Sequence, residues 1–131
     1  MQLRNPVLAG LACVIGGCAS AAAPTIETAA AKPEGLMCAI QVDYGSVCCG
    51  LNRAGEKAVA EALARAKGVE RAVQWRWGRE GERSLCLVME PAPADRLFED
   101  LAAIKLPHPS NHGFTNVTRA ERQVRLEAPE G

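Results

Sequence analysis

The chain has 131 residues, with 15 Lys plus Arg balanced by 15 Asp plus Glu, so its formal net charge is zero. One domain's length of chain with no basic excess excludes an electrostatic nucleic-acid binder and a polybasic membrane-surface module. Aromatic residues make up 4%, too few for an aromatic-lined sugar or base site.

Residues 1–17 read as a signal peptide. Arg4 and the free amine form a positive start, Pro6 to Ile15 is an uncharged apolar run, and small residues follow at the exit. The run is too short to span a bilayer, which takes about 20 apolar residues. The stretch Ile15-Gly16-Gly17-Cys18 resembles the lipobox of bacterial lipoproteins. That resemblance implies that Cys18 becomes a lipid-modified first residue, and Ala19 after it implies an outer-membrane position facing the periplasm. The alternative is ordinary cleavage after Ala19-Ser20-Ala21, which gives a secreted protein. Residues 18–35 are mostly Ala, Pro, Thr and Glu and read as a flexible tether.

The folded part is then 36–127, with 128–131 as a tail. Leu36 to Tyr44 is a strand candidate, and Gly45 to Gly50 is a loop carrying Cys48 and Cys49. Leu51 to Lys67 places Leu51, Ala58, Val59, Ala62, Leu63 and Ala66 on one helical stripe, with Asn52 as N-cap and Gly68 at the C-terminal end. Val69 to Trp77 is a second strand, whose period of two sets Trp75 and Trp77 on one face, packed against the helices or, as the alternative, exposed as a patch for a partner or peptidoglycan. Gly78 to Gly81 is a turn and Ser84 to Met89 a third strand. Pro91 and Pro93 open a second helix over 94–106, ended by Pro107. The last strand is 114–118 or 122–127, with Val124 and Leu126 favouring the later one.

The order β-α-β-β-α-β predicts a ferredoxin-like α+β sandwich: a four-stranded antiparallel sheet with two helices on one face. In that topology three loops share one end. Tyr44, Cys48, Cys49, Trp77, Arg79, Glu80, His108 and His112 are the candidate site residues at that end.

The cysteines are the chemical feature. An exported chain sits in an oxidising compartment, so Cys38, Cys48, Cys49 and Cys86 are disulfide or metal candidates. Pairing Tyr44 with residue 83 puts Cys86 opposite Gln41 and Cys38 opposite Met89, too far apart to bridge. Cys86 therefore pairs more easily with Cys48 or Cys49, leaving Cys38 as a buried thiol or a partner of the spare one.

The segment from Gly45 to Ile104 resembles the heavy-metal-associated domains of copper and mercury carriers, with Gly68-Val69 at the step into the second strand. The resemblance implies a soft metal ion as cofactor or cargo on Cys48 and Cys49. The family spaces its pair as Cys-x-x-Cys, whereas here the two are adjacent. His108 and His112 add possible nitrogen ligands. No Ser-His-Asp arrangement or Gly-rich phosphate loop is readable, so the expectation is no enzyme and no cofactor. The expected function is a non-enzymatic lipid-anchored envelope module that meets an envelope protein or the cell wall, and the alternative is a thiol-based carrier of copper, zinc or mercury.

Overall fold

The computed structural model describes residues 23–109 and 112–130. The elements in chain order are β1 (Ile26–Ala29), β2 (Ile40–Ser46), α1 (Arg53–Arg65), β3 (Val69–Arg76), β4 (Arg83–Met89), α2 (Pro91–Ala102), β5 (Gly113–Arg119) and β6 (Arg122–Arg125). They form one sheet in the order β1-β3-β4-β2-β5-β6. The expected signal peptide over 1–17 and the expected lipidation site Cys18 lie outside the described residues. Among the described residues no helix is long and apolar enough to cross a membrane.

Side-chain alternation explains the two layers. Ile40, Val42 and Tyr44 of β2 and Leu85, Leu87 and Met89 of β4 recur at period two. They pack with Val59, Ala62 and Leu63 of α1 and Ala94, Leu97, Phe98 and Leu101 of α2 in one buried cluster. Both helices therefore cover the same sheet face. Helix α1 starts where the Asn52 side chain accepts a hydrogen bond from the Gly55 amide at 3.2 Å. Helix α2 starts at Pro91, a residue suited to the first helical position because its missing N–H has no intrahelical partner there. It ends at Ala102, short of the expected Leu106.

The four-stranded antiparallel, ferredoxin-like sandwich does not hold. The sheet is six-stranded and mixed. Neighbouring strands among β3, β4, β2 and β5 do pair antiparallel, but each edge carries a further strand. On one side β1 runs parallel to β3. Its residues fall inside the segment expected to be a tether. On the other side β6 closes a hairpin with β5, so 114–118 and 122–125 are both strand rather than alternatives.

The second face of the sheet carries Val73, Trp75, Ser84 and Cys86, which pair across β3 and β4 as Val73–Cys86 and Trp75–Ser84. All four are buried. Trp75 and Trp77 thus lie on the face away from the helices, which corrects their expected placement. Residues before β2 help cover this face: Lys32 Nζ stands 5.9 Å over the Trp75 ring. Cys38 and Cys86 form a disulfide with Cα atoms 5.2 Å apart, so the expected pairing of Cys86 with Cys48 or Cys49 is overturned. Gln41 does stand opposite Cys86. No straight strand runs back to Leu36, because β2 begins only at Ile40. The chain bends at Ala39, whose amide donates to the Leu87 carbonyl at 2.8 Å, and this turns Cys38 back over Cys86.

Candidate functional site: a cysteine and histidine cluster at the loop pole

Three segments meet beyond the end of β2: the loop that follows it, the β3–β4 turn, and the approach to β5. The Val47 and Cys48 amides both donate to the His112 carbonyl, at 2.7 and 3.1 Å. Glu80 reaches across from the turn. Its carboxylate accepts from the Gly50 amide at 3.0 Å and from the Ser46 hydroxyl. These bonds, with a further one from the Cys49 amide, hold the Glu80 carboxyl below its ordinary range. Gly113 makes the close approach possible, because a Cβ there would lie 2.6 Å from the Asn52 nitrogen and 2.9 Å from the Gly50 oxygen.

Two adjacent residues in an extended strand point to opposite sides. At this loop the backbone turns instead: Cys49 has a φ of 69° and Gly50 a φ of 124°. The two cysteines are joined as a vicinal disulfide. Cys48 Sγ lies 3.8 Å from His112 Nδ1. The ligand atoms of Cys48, Cys49 and His112 all fall within 4.8 Å of one another, and all three residues are exposed.

The remaining sequence candidates divide. Glu80 belongs to the pole through its hold on the cysteine loop. Trp77 is 52% exposed beside the turn, with Nε1 donating to Ser84 Oγ at 3.1 Å. Arg79 is exposed on the same turn. His108 is exposed and not in the cluster. Tyr44 is only 4% exposed and belongs to the helix-side core, not to the surface. The Arg83 guanidinium sits 4.4 Å over its ring, and burial drives its hydroxyl pKa far above the usual phenol range. Arg83 in turn donates to Glu56 at 2.6 Å. Cys38 and Cys86 are structural, away from the pole.

Ser46 was not among the candidates. A short polar residue at the end of an apolar strand carries no chemical signal, and its partner Glu80 is 34 positions away. A cavity of about 420 Å³ lies on the other side of the loop, lined by Val47, Leu106, Phe114 and Arg125 among others, but not by the two cysteines or His112.

With both cysteines reduced, the arrangement offers two thiolates and one imidazole to a single ion. A tetrahedral zinc with bond lengths near 2.3 Å to sulfur and 2.0 Å to nitrogen spans roughly 3.6 Å between those two atoms. The Cys48–His112 separation of 3.8 Å is close to that span. No family model matches the chain, and neither a curated protein nor a solved structure matches it significantly.

Proposed function

We propose that the chain is a non-enzymatic envelope module that binds a soft metal ion through the Cys48 and Cys49 thiolates and His112 Nδ1. The observation that supports this is the convergence of those three ligand atoms within 4.8 Å, on segments up to 64 positions apart. Thiolate and imidazole select zinc and copper over hard ions. Three protein ligands leave a fourth position open, and exposure lets another protein fill it, which suits a carrier or a buffer. The lipobox-like Ile15-Gly16-Gly17-Cys18 supports a lipid anchor at Cys18, with the outer membrane facing the periplasm as the favoured address.

Equilibrium dialysis of the reduced full chain against zinc tests the site. One zinc per chain above the level of the Cys48→Ser/Cys49→Ser chain is expected, and His112→Asn should remove it too. No excess zinc overturns the reading. Fatty-acid labelling that survives Cys18→Ser would overturn the anchor.

A second reading is an interaction module that presents this pole to an envelope protein or the cell wall. It is favoured by Trp77, a large side chain left 52% exposed at the start of the turn that carries Glu80. Co-sedimentation with purified cell-wall sacculi that Trp77→Ala abolishes would support it, and no co-sedimentation would remove the cell-wall partner.

A further inference from the structure

The two disulfides differ in access. Cys48 and Cys49 are both exposed, whereas Cys86 is 0% exposed and its partner Cys38 is only partly exposed, on the segment that leads into β2. Exchange requires a thiolate to reach one sulfur of the bond, so access decides which bond exchanges. We propose that Cys48 and Cys49 are an exchangeable thiol–disulfide couple whose oxidised state closes the metal site and whose reduced state opens it. The gate rests on the metal-binding reading; the exchange stands on connectivity and exposure alone.

The co-reactant is a small-molecule thiol. Its thiolate attacks Cys49 Sγ, a new S–S bond forms there, and the bond to Cys48 breaks. The electron pair leaves on Cys48 Sγ, which stands 3.8 Å from His112 Nδ1 and takes a proton from solvent. A second thiolate then attacks the small molecule's sulfur in the mixed disulfide. Cys49 departs as a thiolate and is protonated, and the small-molecule disulfide is released. Two small thiols are oxidised to one disulfide, and the protein disulfide is reduced to two thiols. A bonded sulfur is not a thiolate and gives the ion no anionic ligand, so only the reduced couple binds metal.

The loop's frame does not depend on the bond that breaks. The Val47 and Cys48 amides on the His112 carbonyl, and the Gly50 amide and Ser46 hydroxyl on Glu80, are untouched by reduction. The released thiols therefore stay beside His112.

The test equilibrates the full chain in glutathione buffers from oxidising to reducing. Free thiols are alkylated and located by peptide mass mapping, which separates Cys13 and Cys18 from the rest. In parallel, the buffer is removed anaerobically and zinc uptake is measured against the Cys48→Ser/Cys49→Ser chain. Cys48 and Cys49 should pass from fully bonded to fully alkylated within the series while Cys38–Cys86 stays bonded. Excess zinc should rise in step with the alkylated fraction. The exchange is overturned if Cys48 and Cys49 are alkylated throughout, or if Cys38–Cys86 opens first. If the couple exchanges and the reduced chain takes up no excess zinc, the metal reading and the gate fall while the exchange stands.

Discussion

Among the described residues, two cysteine pairs are built for different purposes. Cys38–Cys86 joins residues 48 positions apart and lies against the buried second face of the sheet. Cys48–Cys49 joins neighbours on an exposed loop. A crosslink stabilises a fold mainly by shrinking the unfolded ensemble, and more so for a longer loop. The first pair closes a long loop. The second closes none beyond its own dipeptide and leaves its sulfurs accessible to thiols and metal ions. Bond type therefore says little about role; loop length and access separate a staple from a reactive site.

The largest expected effect breaks the pairs one at a time. Cys38→Ala with Cys86→Ala should cost about 4 kcal/mol in urea unfolding, from the loop-entropy relation for this separation. Cys48→Ala with Cys49→Ala should stay within about 0.5 kcal/mol of the parent. Equal costs would end the distinction.

Next is Gly113→Ala. The added methyl meets the Asn52, Gly45 and Gly50 backbones, so it should cost about 1–3 kcal/mol by overpacking. It should also weaken zinc binding, because the same contacts hold His112 near Cys48. A stable variant with unchanged zinc affinity would show that the pole is not rigidly framed.

Thr115→Val is a smaller change at a buried position that belongs to neither pair. Thr115 Oγ1 is fully buried with no hydrogen-bond partner. Replacing the hydroxyl by a methyl of similar shape should be neutral or stabilise by up to about 1 kcal/mol in the same urea series.

The smallest effect is Glu80→Ala, which should leave global stability unchanged and speed hydrogen exchange at the Gly50 amide. The sign of its pH dependence follows from the direction of the shift. The folded carboxyl titrates below its ordinary 4.5, so its hold on the loop is complete above that pH and is lost as pH falls through the lower, folded value. A carbon-13 titration of the Glu80 carboxyl should show a midpoint under 4.5, and one at or above it would contradict the clamp.

Much of the fold's centre was legible in the residues. The period-two pattern of Ile40, Val42 and Tyr44 and of Leu85, Leu87 and Met89 marks β2 and β4, and the helical stripes mark α1 and α2. The edges were not. Ile26–Ala29 has one large apolar residue in a run of Ala, Pro and Thr. It is a strand because its backbone pairs in parallel with Ala72 to Trp75 of β3, partners more than 40 positions away, a pairing that Arg71 on Glu27 at 2.7 Å and Gln74 on Thr28 accompany. The Cys38–Cys86 bond was missed for a related reason. Pairing register can be read from alternation, but the bend at Ala39 depends on what the chain covers on the far face. At the site, the residue types of Cys48, Cys49 and His112 were visible, whereas the Ser46–Glu80 clamp that positions the loop was not.

X-ray absorption at the zinc edge of the reduced, zinc-loaded full chain tests the central claim most directly. Two sulfurs at about 2.3 Å and at least one nitrogen near 2.0 Å are predicted, with the sulfur shell lost in Cys48→Ser/Cys49→Ser. A zinc surrounded by oxygen and nitrogen alone, or a sulfur shell that survives the double substitution, would contradict it.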